Sequence, residues 1–272
     1  MKIITMATLK GGSGKTMNTF NISGILAEDN KVLLIDVDPQ CNLTSNCGID
    51  TSNLEIKTVR DIFDNLPKNQ PTAEEIIIKS PIPELPNLDL IPSSILLFKT
   101  EKAMSTKNNR EHILEYFVNN NKEYLKQYNY IMIDTNPSMS IVNINAFYLA
   151  DSIVLSSDIS SNSISGAELF CALWGDDREE LYKEDNVRAM ILCNVDKRSK
   201  LINELTEYIK SDYYSIPNEI IVDTIIPMTV KLKNTEIEHQ PINILYPKTE
   251  PKDSIRIIYE NVIEELKEKG VL

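Results

Sequence analysis

Paired cysteines, clustered histidines, long apolar runs and a basic charge balance are all missing from this 272-residue chain. Its four cysteines, Cys41, Cys47, Cys171 and Cys193, form no C-x-x-C pair, so they read as small buried or half-buried thiols of a reduced compartment. The two histidines, His112 and His239, stand far apart with no cysteine spacing near them, which speaks against a zinc site. No window approaches the ~18 apolar residues of a membrane span. The apolar run in MKIITMATLKGG is too short for a signal peptide and leads straight into a motif, so the expected location is the cytoplasm. Lys plus Arg number 28 against 40 Asp plus Glu, a net charge of −12. That balance disfavours coating nucleic acid by bulk charge, leaves room for a local basic patch, and suits a basic partner segment.

What is present is an ordinary globular composition, 42% hydrophobic and 25% charged. The apolar run Lys2–Ala7 reads as a strand, followed by a glycine-rich loop and a stretch with helical spacing at Phe20, Ile22, Ile25 and Leu26. Asp29-Asn30 ends it, and Val32-Leu33-Leu34-Ile35 is a second strand: a βαβ unit. Further strands are expected at Leu88–Ile91, Tyr130–Ile133, Ile153–Leu155, Ala189–Cys193 and Ile220–Ile226. Helices are expected over Thr58–Leu66, across 101–128 and at Ser254–Lys269, with prolines 71, 81, 83 and 86 marking turns. Short apolar strands separated by helices predict an α/β fold, a doubly wound and mostly parallel sheet, in one domain spanning 1–272. The last helix has an apolar face (Ile255, Ile258, Val262, Leu266) and an acidic one (Glu260, Glu264, Glu265, Glu268), which fits packing on the sheet rather than a lipid surface.

Lys10-Gly11-Gly12-Ser13-Gly14-Lys15-Thr16 lies between a strand and a helix, the context in which a phosphate-binding loop is credible. Glycines let successive N–H groups turn toward a phosphate, and the helix N-terminus adds its positive end. Lys15 supplies a point charge for the β- and γ-phosphates, and the Thr16 hydroxyl suits Mg²⁺. The spacing departs from G-x-x-x-x-G-K-[ST], because Leu9 stands where the first glycine belongs. Lys10 is instead a second lysine, placed too early to cradle the same phosphates and able to reach a phosphate on a facing subunit.

These residues, with VLLIDVDPQCNL (Val32–Leu43), NLDLIPS (Asn87–Ser93), YIMIDTNPS (Tyr130–Ser138), NAFYLADSI (Asn145–Ile153), SISG (Ser163–Gly166) and IPMTVKL (Ile226–Leu232), resemble the deviant Walker A P-loop NTPases, specifically the ParA (Soj-like) partition ATPases. Three positions depart from the pattern: Met17 where a second Thr is usual, Asn136 in Asp134-Thr135-Asn136-Pro137, and Met228 where a basic residue is usual.

The resemblance implies an ATP- and Mg²⁺-dependent ATPase. Its catalytic set is Lys10, Lys15 and Asp38, with Asp38 positioning or activating the attacking water. Nucleotide binding falls to Gly11, Gly12, Ser13, Gly14, Lys15, Thr16 and Met17, with Asn194 and Pro227 near the adenine. The metal set is Thr16, Asp36 and Asp134. It further implies an ATP-dependent homodimer bridged through Lys10, non-specific DNA binding through Lys231 and Lys233, a nucleoid location, and a ParB-like partner that stimulates hydrolysis. Other basic residues, Lys197, Arg198, Lys200, Lys248, Lys252 and Arg256, are scattered. With the motif beginning at residue 10, no N-terminal DNA-reading domain is expected. The rivals are a MinD-like membrane-surface ATPase, disfavoured by the acidic last helix, an iron–sulfur relative, disfavoured by the unpaired cysteines, and an ATP-dependent scaffold without a DNA role.

Overall fold

Strand β1 (Lys2–Ala7) runs through the sheet with β5 on one side and β6 on the other. The structure is a computed structural model and describes residues 1–52, 55–65, 67–104, 109–196, 209, 215–247 and 254–272. The remaining strands are β2 (Val32–Asp36), β3 (Ile78–Lys79), β4 (Leu88–Ile91), β5 (Tyr130–Asp134), β6 (Ser152–Ser157) and β7 (Val187–Leu192). Their order is β3-β4-β2-β5-β1-β6-β7, parallel throughout except for the β3–β4 pair. The expected α/β class and mostly parallel sheet are therefore found.

Before β5 the helices are α1 (Lys15–Leu26), α2 (Asn42–Asn46), α3 (Val59–Asp64), α4 (Ala73–Ile76), α5 (Leu97–Met104), α6 (Ile113–Asn120) and α7 (Lys122–Leu125). After it come α8 (Ile141–Leu149), α9 (Ser161–Glu180), α10 (Val230–Ile237), α11 (Ile242–Leu245) and α12 (Ile255–Glu268). Strand side chains alternate between two layers, which is why the strands read as continuous apolar runs. Ile4, Met6 and Leu34 meet Phe20 of α1 and Tyr259, Val262 and Leu266 of α12. Ile3, Leu33 and Ile35 meet α3, α5, α6 and α8, while Ala7, Ile153 and Leu155 meet Phe170 and Trp174 of α9. Among the described residues no helix is long and apolar enough to cross a membrane.

Two expectations are corrected. The helical stretch across 101–128 is divided into the end of α5, a 3₁₀ turn (Arg110–His112), α6 and α7. Asn121 interrupts it with φ −109°, and its side chain instead accepts from Ala73 N–H at 2.7 Å and donates to the Phe117 carbonyl. Ile220–Ile226 is not a strand. It meets β7 at the isolated bridge Met190–Ile221 and through the Val222 and Ile226 N–H groups, which donate to the Met190 and Leu192 carbonyls at 2.9 Å, and a second bridge, Val195–Pro227, lies just past both segments. Between the two bridges the Asp223 and Thr224 N–H groups turn away to the carboxylate of Glu265 on α12, at 2.5 and 3.0 Å. Backbone donors spent on a side chain are lost to a ladder.

Helix α1 is pinned along its length to the C-terminal helices. Asn21 Oδ1 accepts from Ile242 N–H at 2.8 Å, and Asn243 Nδ2 donates to the Gly24 carbonyl at 3.0 Å. Buried Arg256 holds Glu28 and Glu260 at 2.8 and 2.9 Å, so this basic residue is a structural clamp rather than part of a surface patch. At Gly24 a Cβ would sit 2.5 Å from Pro241 Cβ and 2.7 Å from Asn243 Oδ1. Gly24→Ala gains about 1 kcal/mol of intrinsic helix propensity, against about 1–3 kcal/mol for overpacking a tight contact. The closer-than-contact distances put the substitution toward the upper end of that cost. The expected result is a lower denaturant midpoint; a midpoint at or above wild type would show that α1 and α11 part without cost.

Candidate nucleotide site

The carboxyl ends of β1, β2 and β5 converge on one side of the sheet, where the strand order reverses around β1 and parallel α/β sheets hold their ligands. The β1–α1 loop supplies the floor. Gly14 is the N-cap of α1 in left-handed geometry, φ +79°, and offers no side-chain cap. The first N–H groups of α1 are thus left for a ligand, and an anion is the ligand they fit. A Cβ on Gly14 would also lie 2.9 Å from Cys193 Sγ, so both conformation and space require glycine there. A Cβ added at Gly11 or Gly12 would meet nothing within 4 Å, so the loop is open on its upper side. Lys15 is only 7% exposed, an expensive burial for an ammonium unless an anion meets it.

A cavity of about 420 Å³ lies against this loop. Gly11, Gly12, Ser13, Gly14, Lys15, Thr16, Met17, Asp38 and Asn194 all line it, so most of the expected site residues are brought together. Pro227 is not among them; its loop reaches the cavity through Met228 and Thr229 instead. Pro227 is occupied in the bridge to Val195, which presents the next two residues inward. Gln40, Asn42, Leu232 and Glu236 also line the cavity and were not anticipated. Gln40 had a signal in its position directly after Asp38-Pro39, whereas Glu236 had none until α10 was placed.

The carboxylates divide by depth. Asp36 and Asp134 are register partners at the ends of β2 and β5, both fully buried. Thr16 Oγ1 donates to Asp134 Oδ2 at 2.6 Å, and Thr19 Oγ1 approaches Oδ1 at 3.3 Å. Burial lifts the Asp134 carboxyl to about 6; Lys15 and Thr16 pull it back, and Asp38 pushes it further up. Asp36 is lifted to about 8, by burial first and then by the Asp134 charge. Its Oδ1 accepts from Asp38 N–H, and its Oδ2 accepts from Thr44 N–H and Oγ1 at 2.9 and 2.7 Å. β2 ends at Asp36, so Asp38 lies past the strand and the two acids do not share a strand face. Asp36 fastens the 37–44 turn, and Asp38 alone enters the cavity, with Oδ1 accepting from Gln40 N–H at 2.8 Å.

Thr16 and Asp134 offer hard oxygen donors beside a loop shaped for phosphate, a set that suits Mg²⁺, which keeps waters and phosphate oxygens for its other positions. Asp36, with both oxygens spent on protein donors, stands behind that pair.

The expected DNA-contacting lysines part company. Lys233 lines the mouth of the nucleotide cavity. Lys231 lies over the Tyr246 ring, 4.6 Å from its centroid. Lys10 bonds within its own subunit, to Asp158 Oδ2 at 3.3 Å and Ser160 Oγ at 2.9 Å. Lys197, Arg198, Lys200, Lys248 and Lys252 lie outside the described residues.

Comparison with known proteins agrees with this geometry. The family described as AAA domain matches residues 1–185. The sporulation initiation inhibitor protein Soj of Bacillus subtilis is 30% identical over 271 residues, covering 99% of each chain. Among solved structures, a Borrelia burgdorferi B31 protein assigned to plasmid partition and bound to AMPPNP superposes with a TM-score of 0.77 at 24% identity, covering 98% of this chain and 99% of that one. Apo McdA from Cyanothece gives a TM-score of 0.79 at 22% identity, again over 98% and 99% of the two chains. At those identities the two structures speak for the fold, and the Soj match speaks for the family. The chain belongs to the ParA (Soj-like) family of deviant Walker A P-loop ATPases.

Proposed function

We propose that this chain is the ATPase of a DNA partition system, and that it takes ATP and Mg²⁺ at the cavity over the β1–α1 loop. The observation that carries this is the joining of Lys15, Thr16, Asp38 and Asp134 around one uncapped helix N-terminus. The loop N–H groups and Lys15 bind the β- and γ-phosphates. Thr16 and Asp134 hold Mg²⁺, whose chemistry when bound is neutralisation of phosphate charge. Asp38, alone among the three acids at the cavity surface, orients the attacking water. Asn194 and the Met228–Thr229 turn flank the base. In the ATP state Lys10 exchanges its contacts with Asp158 and Ser160 for a phosphate on a facing subunit, giving a homodimer. The dimer binds duplex DNA without sequence preference and associates with the nucleoid, and a ParB-like partner with a basic segment stimulates hydrolysis and releases it. Relatives named Soj and ParA support this reading.

The two charged groups separate in their effects. Lys15→Ala should abolish ATP binding in calorimetry, since no other loop side chain brings a charge to the phosphates. Asp38→Ala should keep ATP binding and the ATP-dependent dimer, seen by light scattering, while turnover falls by roughly 10²-fold or more. Lys15→Ala with unchanged affinity, or Asp38→Ala with normal turnover, would remove the assignment.

DNA binding should appear only with ATP and weaken steeply with salt. Lys231→Glu should lower affinity for any duplex and reduce the salt slope while dimerisation persists. Polarisation titrations at several salt concentrations decide it. A wild-type ATP dimer with no duplex affinity at low salt would contradict the partition reading. Because Lys231 packs on Tyr246, Lys231→Gln is the companion that keeps most of the side-chain bulk.

Without metal, the two buried acids make stability depend on pH. Both values are raised above that of an unfolded Asp, so their stabilising contribution is full below about 4 and is lost as pH rises through about 6 for Asp134 and about 8 for Asp36. In EDTA the melting temperature should therefore fall between about pH 4 and pH 8, with the Asp134 share gone by about pH 6, and Mg²⁺ with ATP should offset the fall by stabilising the ionised Asp134. A flat metal-free profile would contradict this picture.

A further inference from the structure

The peptide joining Ser13 to Gly14 is held from the sheet side. Ser156 Oγ, on β6, donates to the Ser13 carbonyl at 2.6 Å, and Cys193 Sγ donates to the same oxygen at 2.8 Å. A trans peptide is planar, with its C=O and N–H pointing opposite ways. A carbonyl anchored to the sheet therefore turns the Gly14 N–H to the other side, where the cavity lies. Asn194 Nδ2 treats the preceding peptide alike, taking the Gly12 carbonyl at 2.8 Å.

Ser156 is itself supported by a buried relay. Asn18 Nδ2 donates to Ser156 Oγ at 3.0 Å, and the Tyr259 hydroxyl donates to Asn18 Oδ1 at 2.8 Å. Asn18, Ser156 and Tyr259 are all essentially inaccessible to solvent, so no water substitutes for a missing member. The order of donors is forced. A phenol proton given to Oδ1 leaves the Asn18 amide facing Ser156, and a hydroxyl that accepts from Asn18 has its own proton free for the Ser13 carbonyl. The relay begins on α12, 241 residues away in sequence from Asn18, and ends on the phosphate loop.

We propose that Tyr259 is a positioning residue for phosphate binding, which acts through Asn18 and Ser156 to hold the Ser13–Gly14 peptide with its N–H toward the bound phosphate. The proposal rests on the nucleotide reading of the cavity. It makes the last helix part of the site's support as well as part of the core.

The test is calorimetric titration of the full chain with ATP and with ADP. Tyr259→Phe removes one hydroxyl and keeps the ring; Ser156→Ala cuts the relay in the middle. Each should raise Kd for both nucleotides by about fivefold or more, the worth of one lost buried hydrogen bond. The Tyr259→Phe/Ser156→Ala double variant should be no weaker than Ser156→Ala alone, because one relay carries both effects. Tyr128→Phe is the control. That tyrosine is equally buried, and its hydroxyl donates to Asp89 at 2.7 Å away from the loop, so its loss lowers the melting temperature without moving Kd. Wild-type affinity in Tyr259→Phe, an equal loss in Tyr128→Phe, or additive effects in the double variant would each overturn the relay while leaving the nucleotide reading intact. A wild-type chain that binds neither nucleotide would overturn that reading and the relay with it.

Discussion

The first turn of α1 carries backbone donors that no side-chain cap among the described residues satisfies, and the surrounding structure is arranged to keep them so. Helices α8, α9 and α12 open on Ser140, Ser160 and Ser254, whose hydroxyls accept from their own first turns. Helix α1 opens on Gly14, which has no side chain to do this. A helix end left bare in the interior costs free energy unless a ligand covers it. Here the loop's carbonyls are tied to Ser156, Cys193 and Asn194, which leaves its N–H groups on the cavity side. The binding surface is thus pre-formed rather than assembled on contact, and less ordering remains to oppose binding.

Placing Asp36 and Asp134 side by side in the sheet creates a problem that the fold solves in two ways. Two ionised carboxylates in register would repel in a medium with little water to screen them. Asp36 is held up to about 8 and is committed to Thr44, whose hydroxyl also receives the Ser93 N–H, so the acid knits the 37–44 turn to β2 and to the segment after β4. Asp134 is held lower, at about 6, because Lys15 and Thr16 face it. One acid is committed to the turn by three hydrogen bonds; the other faces the lysine and threonine of the phosphate loop. Asp38 escapes the conflict by lying past the strand end.

The legible parts of the sequence were those whose meaning is local. The Lys10–Thr16 loop, the β1 boundaries and Asp134 after four apolar residues each depend on a few neighbouring positions, and the structure places them as read. The C-terminal third was harder because its side chains are assigned by distant partners. Ile220–Ile226 has strand composition, yet Glu265 of α12 takes the donors that would have made it one. Lys231 and Lys233 look equivalent in sequence, but two positions on α10 are about half a turn, which sends the first to Tyr246 and the second to the nucleotide cavity. Arg256 reads as surface charge and is a buried clamp, because Glu28, its principal partner, lies 228 residues earlier. The relay from Tyr259 to Ser13 left no trace in the sequence for the same reason.

Lys10 shows how a weak contact would serve the exchange of partners proposed for the ATP dimer. Its ammonium bonds Asp158 and the Ser160 hydroxyl that also caps α9, with side-chain exposures of 37% for Lys10 and 25% for Asp158. A pair this accessible contributes about 0–1 kcal/mol. Asp158 nonetheless stays ionised: burial opposes it, and hydrogen bonds from Ser160, from the Ser160 backbone and from Lys10 outweigh burial. The carboxylate therefore remains well solvated by donors when the lysine leaves, so departure strands no charge. A triphosphate presents more negative charge than one carboxylate, which favours it in the proposed exchange. The contact holds Lys10 at the open groove beside the loop, and it is too weak to oppose the transfer proposed for the ATP dimer.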